Sequence, residues 1–306
     1  MSVGYLDPLG RAWERGKVML FRPFRLEFWL VLGFAAFLSN LLAGSPNFSW
    51  NQGLPKESAG GLAKDIQAFL HEPWTLWILG GALLLLMVLG VVLTWVGARG
   101  QFIFLDDVLH ARAQIVAPWK RFVRIGDSLF ALLIVVSLGT FSIFVILFAS
   151  PVRELFQAIW QDGELPDFDI WSLAIRALIA VPLTLASVAF QVLTRHFVAP
   201  IMWKHDLGAI AAWARFWSLL ATRPWPFVGY LLFLILLGVV LLVGILVVGF
   251  CTCCIGFLLM AIPYLGSVFL LPVHVPWRAL GPEFLSQFGP DWDVRPPAPV
   301  PGSPQT

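Results

Sequence analysis

From Phe227 to Pro272 the chain carries no charged residue. One helical crossing of a hydrocarbon core about 30 Å thick takes about 20 residues, so this run suits two crossings joined by a tight turn. The segment CTCCIG, Cys251 to Gly256, is the expected place for that turn. A soluble core could not hide so much apolar surface. Hydrophobic residues make up 59% of the 306 residues and charged residues 12%, against about 45–50% and about 25% in soluble domains. The excess must face lipid, and 15 Trp with 26 Phe suit aromatic belts at the two interfaces.

The same criterion predicts an all-α, polytopic transmembrane bundle over residues 1–288. Its six spans fall at about 28–43, 74–96, 129–149, 171–193, 227–249 and 255–272. The first is short, and Ala35, Ser39 and Ala43 give it a stripe of small residues suited to close helix contact. It lacks a small-residue cleavage site and is expected to act as an uncleaved anchor. Residues 289–306 hold Pro296, Pro297, Pro299, Pro301 and Pro304 and read as an extended or disordered tail.

Topology follows from Lys and Arg. With the N-terminus cytoplasmic, the inside segments hold sixteen of these residues, among them Arg11, Arg99, Arg195 and Arg278. The outside segments hold only Lys56, Lys64 and Arg153. That bias predicts both termini on the cytoplasmic side of a bacterial inner membrane. Residues 8–22, 106–117 and 207–221 alternate apolar and charged faces at helical spacing. They are expected to be interfacial helices, packed in the headgroup layer or on the protein's own surface.

A joint of Pro beside an aromatic recurs as LFRPFRLEFWLVLGF from Leu20, APWKRFVRIGDSLFALLIV from Ala117 and TRPWPFVGYLLFLILLG from Thr222. The even-span exits also match: GQFIFLDD at Gly100, RHFVAPIM at Arg195 and SVFLLPVH at Ser267. These similarities predict an internal repeat of three hairpins, each preceded by an amphipathic interfacial helix, at a period of about 100 residues. Pro23, Pro118 and Pro224 would then each open an odd span, where proline's missing amide costs nothing.

The joints, the segment FVAPIMWKHDLGAIAAWARFWSLLATRPWPFVGYLLF and the C-terminal CCIGFLLMAIPYLGSVFLLPVHV resemble an uncharacterised family of bacterial six-span membrane proteins. More distantly, the plan is similar to the membrane domain of some glycerophosphodiester phosphodiesterases. The resemblance runs from about Leu9 to Phe288. It implies the fold and transfers no catalytic residue, because the phosphodiesterase barrel and its metal-binding carboxylates and His have no counterpart in this sequence.

Residue chemistry narrows the rest. Arg176 is the intramembrane charge of the fourth span. It reads as a structural partner of Asp167 or Asp169, or as a contact for an anion or substrate. No Asp, Glu, Lys or His falls inside the six spans, which argues against coupled transport. Pro182 and Pro263 read as simple kinks. Cys251, Cys253 and Cys254 read as packing in a tight turn, with a disulfide or a soft-metal site as alternatives. His110, His196, His205 and His274 read as interface residues, and Asp107 and Asp206 as caps of surface helices. No cofactor, metal or catalytic set is expected, and the net charge of +2 gives no reason to invoke nucleic acid. The candidate contacts for anionic lipid or for a protein partner are Arg22, Arg25, Lys120, Arg121, Arg124 and Arg223, with Trp119 and Trp225. The expectation is a non-enzymatic membrane protein that organises lipid or joins a complex or homo-oligomer. The alternative is an uncoupled transporter or lipid-handling channel with its site at the repeat interface.

Overall fold

The computed structural model describes residues 3–41, 72, 74–161, 169–252 and 255–295. Every regular element among them is helical. Six precede a wide turn: α1 (Leu6–Phe21), α2 (Leu26–Asn40), α3 (Thr75–His110), α4 (Val116–Arg121), α5 (Val123–Gln161) and α6 (Ile170–Leu193). One π-helical turn, Thr194–Val198, leads into α7 (Ala199–His205), followed by α8 (Ala209–Thr222) and α9 (Pro224–Cys251). The chain then continues as α10 (Ile255–Ala261), α11 (Pro263–Phe269) and α12 (Leu271–Leu285), and two short 3₁₀ turns follow. Residues 253–254 of the Cys turn and the tail beyond 295 lie outside the described residues.

The structure departs from the expected plan in several places. Helix α3 does not stop near 96. It runs to His110 and ends in a Schellman turn, with Ala111 left-handed (φ 51°) and the Arg112 amide donating to the Asp107 carbonyl at 3.0 Å. The interfacial helix expected over 106–117 is therefore absent. Its first part closes α3, and its last residues begin the separate turn α4. The expected sixth span, 255–272, is not one helix. Pro263 disfavours helical backbone at the residue before it, and Ile262 is extended (φ −85°, ψ 112°). A second interruption falls at Leu270. Pro263 thus breaks the helix, whereas Pro182 sits inside a continuous α6. The joint prolines are not equivalent either. Pro224 opens α9, Pro118 lies within α4, and Pro23 lies between α1 and α2.

Two compact units divide the chain. The first comprises Met1–Asn47, Trp95–Leu132 and Gln191–Thr306. Its axis is α12, which is buried at Leu271, at Val275 and Pro276, and from Arg278 to Leu285. Helix α1 lies along α12 so closely that a Cβ on Gly16 would stand 2.9 Å from Pro276 Cγ. Ala12, Leu20, Leu32, Ala36, Phe104 and Val275 share one apolar core, so much of the apolar face of α1 is spent on the protein's own interior. Helix α2 packs beside α11: Tyr264 Oη donates to the Leu30 carbonyl at 3.0 Å, and Gly33 admits Val268. Of the small-residue stripe, Ala35 and Ser39 are buried, and Ala43 lies outside the described residues. A second core is aromatic. Phe197, Phe216, Phe227, Tyr230 and Phe284 meet at ring separations from 4.5 to 6.0 Å.

The second unit comprises Phe48–Thr94 and Leu133–Phe190. Its helical segments expose long apolar faces, including Leu83 to Met87 and Ile146. Thr140 and Ser187 hydroxyls lie 3.5 Å apart across α5 and α6. Asp169 caps α6, accepting from the amides of Trp171 (3.2 Å) and Ser172 (3.1 Å).

Candidate functional site

In the first unit, α2, α3, α12 and the π-turn bring a polar group together inside an otherwise apolar interior. Arg278 is only 3% exposed. Its guanidinium donates to two main-chain carbonyls, Arg195 at 2.6 Å and Gln101 at 2.9 Å. The π-turn widens the helix at Thr194–Val198, a local defect that recurs at functional positions. Arg195 reaches the other way, donating to Asn40 Oδ1 at 2.6 Å and Ser39 Oγ at 3.4 Å. The amide nitrogen of Asn40 stands 3.5 Å from both ring nitrogens of His274. Tyr230 Oη and His196 Nδ1 lie 2.8 Å apart, and Trp277 stacks edge-on against His196 with centroids 5.9 Å apart.

Three other charge groups of this unit each hold an acid, two of them buried. Glu283, 2% exposed, accepts from Arg11 Nε at 2.9 Å and Arg15 Nη2 at 3.0 Å, with Arg295 at 3.5 Å. Asp106 is fully buried and pairs with Arg112 and with His110 at 3.2 Å, while Trp203 Nε1 donates to it at 3.1 Å. Arg99 forks onto Asp127 at 2.8 and 3.0 Å and lies 4.1 Å from the centroid of the Trp95 ring and 5.5 Å from that of Trp119. Buried charges persist when paired in this way.

The residues singled out in the sequence fall elsewhere. Arg22, Arg25, Lys120, Arg121, Arg124 and Arg223 are all exposed. Arg25 and Arg121 lie over the rings of Phe28 and Phe122 at 6.0 and 5.3 Å, and Arg124 pairs with Asp206. Trp225 is 80% exposed, while Trp119 packs edge-on against Trp95. In the second unit Arg176 has no carboxylate partner among the described residues. It donates to Ser150 Oγ at 2.7 Å and to Ser172, because Asp169 is committed to the cap; Asp167 lies outside the described residues. Neither Asp107 nor Asp206 caps a surface helix. Asp107 accepts the Gln114 amide at 3.1 Å. Asp206 is left-handed after α7 (φ 51°), and the Ala209 amide at the start of α8 goes to Ser128 Oγ at 2.8 Å. Cys251 is a free, exposed thiol, and Cys253 and Cys254 lie outside the described residues.

Sequence reasoning passed over Arg195, Arg278 and Gln101, and dismissed His196 and His274 as interface residues. Arg195 and Arg278 were counted toward topology and nothing more. Their one signal was position: each follows an apolar run directly, where the helix had every reason to continue.

A cavity of about 350 Å³ opens in the same unit among α1, α9 and α12. Its walls are apolar, with Leu9 and Trp13 on one side, Leu237 and Leu241 on another, and Val273 and Trp277 between.

Among the described residues, four helical stretches are long and apolar enough to cross a membrane: Trp77–His110, Val123–Trp160, Ile170–His205 and Pro224–Cys251. With faces so nearly unburied, the class is that of an all-helical protein built as a membrane protein is built. Residues 5–286 match the family of unknown function DUF7544, and the chain belongs to that family. No curated protein and no solved structure matches it, and nothing in these comparisons links it to the glycerophosphodiester phosphodiesterases.

Proposed function

We propose that this is a non-enzymatic, multi-pass protein of the bacterial inner membrane that binds and organises lipid at its cytoplasmic face, alone or as part of a complex. The observation that carries the reading is the burial pattern of the four long helices. At most 6% of the residues in the most apolar window of each are buried by protein, and lipid is the cover that suits the apolar faces left open. The exposed joint residues Arg22, Arg25, Lys120, Arg121, Arg124 and Arg223 supply the anionic-lipid contacts, at about 1 kcal/mol each near a charged surface. The excess of Lys and Arg in the inside segments of the sequence supports cytoplasmic termini on this reading.

The six-crossing plan needs amendment at α2 as well as at the broken sixth span. Helix α2 has 15 residues and a length of about 22 Å, less than a hydrocarbon core. Asn40 at its end bonds Arg195, which the charge count places on the cytoplasmic side. We therefore read α2 as a helix packed on α11 that does not by itself cross the membrane. The apolar cavity favours lipid handling as a second reading, since its walls suit an acyl chain and offer a hydrated solute almost nothing.

Native mass spectrometry of the purified chain tests this. Anionic phospholipid should stay bound to the wild type and fall several-fold when the six joint Arg and Lys residues are changed to Gln. Equal retention by both proteins would remove the lipid-organising reading.

A further inference from the structure

Most arginines buried in the first unit face an acid; the fully buried Asp107 is in no ion pair, and two arginines have no acid beside them. Glu283, Asp106 and Asp127 each stand against the arginines around them. Arg195 and Arg278 stand beside one another without an acid: no ion pair among the described residues includes either. Their other neighbours, Asn40, Ser39, Gln101, His274, His196 and Tyr230, carry no negative charge. Two guanidinium groups in one apolar interior repel each other and lose hydration, a cost that carbonyl oxygens offset only in part.

The spare hydrogen-bonding capacity points in the same direction. The Nε of Arg195 and the Nε of Arg278 are both buried without an acceptor, as are those of Arg15 and Arg112, whose other nitrogens meet acids. The Asn40 amide meets His274 only at 3.5 Å, the far limit of a hydrogen bond. The arginines thus keep uncommitted donors, although the buried Gln101 Oε1 is also without a hydrogen-bond partner. Arg278 is the group's sealed floor, fixed by the carbonyls of Arg195 and Gln101. Arg195, Asn40 and His274 are each partly exposed and form its rim.

We propose that Arg195, Asn40 and His274 form a binding site for a phosphate group, with Arg278 holding the Arg195 turn in place and adding positive field beneath it. A phosphate brings the negative charge this cluster lacks and several acceptor oxygens for its uncommitted donors. Such a group arrives either as a phospholipid headgroup or as a free phosphate compound. The site is separate from the exposed basic joints, so it stands or falls independently of the lipid-organising reading.

The test uses the full chain purified in dodecyl maltoside, a detergent without phosphate, and follows thermal unfolding. Inorganic phosphate is titrated in one arm and phosphatidylglycerol in mixed micelles in the other, with chloride at matched ionic strength as the control. Saturating ligand should raise the wild-type Tm by about 4 °C or more. A rise with inorganic phosphate identifies a free phosphate site, and a rise with phosphatidylglycerol alone identifies a headgroup site. Arg195→Gln should abolish the response. Because that variant could fold poorly, Asn40→Asp is the companion. It places a carboxylate against Arg195, so it should raise the ligand-free Tm and remove the phosphate response. No rise in either wild-type arm overturns the proposal, as does an Asn40→Asp protein that is less stable yet responds like the wild type.

Discussion

The two ends of α3 share one helical backbone and have opposite surroundings. From Trp77 to Val92 every residue is exposed, and from Gly97 to Leu109 every residue is buried. Both halves are rich in apolar side chains, so hydrophobicity does not separate them. Polar content does. The exposed half carries no ionisable group, whereas the buried half carries Arg99, Gln101, Asp106 and Asp107. A charge facing hydrocarbon costs at least about 2.5–3.5 kcal/mol at the centre; a charge inside protein can be met by a partner placed for it. Glycine sorts the same way: a Cβ at Gly80, Gly81 or Gly90 would touch nothing within 4 Å, while one at Gly100 would stand 2.7 Å from the Leu38 backbone.

A large effect should come from removing an acid from the buried side. Glu283→Ala leaves Arg11, Arg15 and Arg295 gathered around an empty place. It should cost about 3 kcal/mol, the low end for a broken buried pair, because all three arginines keep some solvent access. A thermal melt in detergent reads this directly, and an unchanged Tm would show that the three arginines neutralise one another's loss through water.

Next comes glycine contact. The backbone oxygen of His196 lies 2.1 Å from where a Cβ on Gly281 would sit, and backbone cannot swing aside as a side chain can. Gly281→Ala should cost about 2 kcal/mol or more. In the exposed half, Gly90→Ala should instead stabilise by about 0.5–1 kcal/mol, since only helix propensity changes. If both variants lose stability equally, the exposed half is packed against something in solution, and the contrast between the halves fails.

This contrast also explains what could be read from sequence. The apolar helices were legible because lipid exposure demands an uninterrupted run, and Pro224 to Cys251 met that demand without ambiguity. The interior of the first unit was not. Phe102, Phe104 and Phe197 look like lipid-facing aromatics until α12 is placed among them, and nothing local to LPVHVPWRALGPEFL announces a central helix. With Pro276 and Pro282 inside it, the segment reads as a broken surface stretch. Its prolines sit in a helix that is buried at Pro276 and from Arg278 to Leu285 by neighbouring elements. The pairing of Arg278 with the Arg195 carbonyl joins residues 83 apart in sequence, and no spacing rule reaches that far. Topology counting gave those two arginines a face of the membrane and nothing more.

A third test concerns the exposed half alone. Leu84 is 59% exposed, and Leu84→Ala removes apolar area that detergent or lipid covers in folded and unfolded forms alike. The melt should move by less than about 0.5 kcal/mol, whereas Leu32→Ala, in a fully buried position, should cost about 2–5 kcal/mol. A large effect at Leu84 would indicate a subunit interface on that face, observable as a change in oligomeric mass.

The last test is electrostatic and pH-dependent, and it sits at the outer edge of the buried side. Arg295 donates to Asp293 through Nε at 2.7 Å and Nη2 at 2.6 Å. Chiefly through those bonds, the Asp293 carboxyl is held below the usual carboxylate range; partial burial pushes the other way, and Lys204 adds a weaker pull. A carboxyl whose folded pKa is depressed stabilises the fold above its unfolded value of about 3.9, and that contribution disappears as pH falls through the folded value. Asp293→Asn should therefore be less stable than wild type at pH 7 by about 0.5 kcal/mol, the scale of a partly exposed pair. The gap should close as the pH drops below about 4. Glu283, which Arg295 also approaches, is present in both proteins, so its own titration cancels in the difference. The stretch Thr75–Thr94 has no side chain that titrates in this range and contributes nothing to the curve. A gap that persists at pH 3, or widens on acidification, would mean that Asp293 acts through shape rather than charge, and that the acid edge of this unit is not held by Arg295.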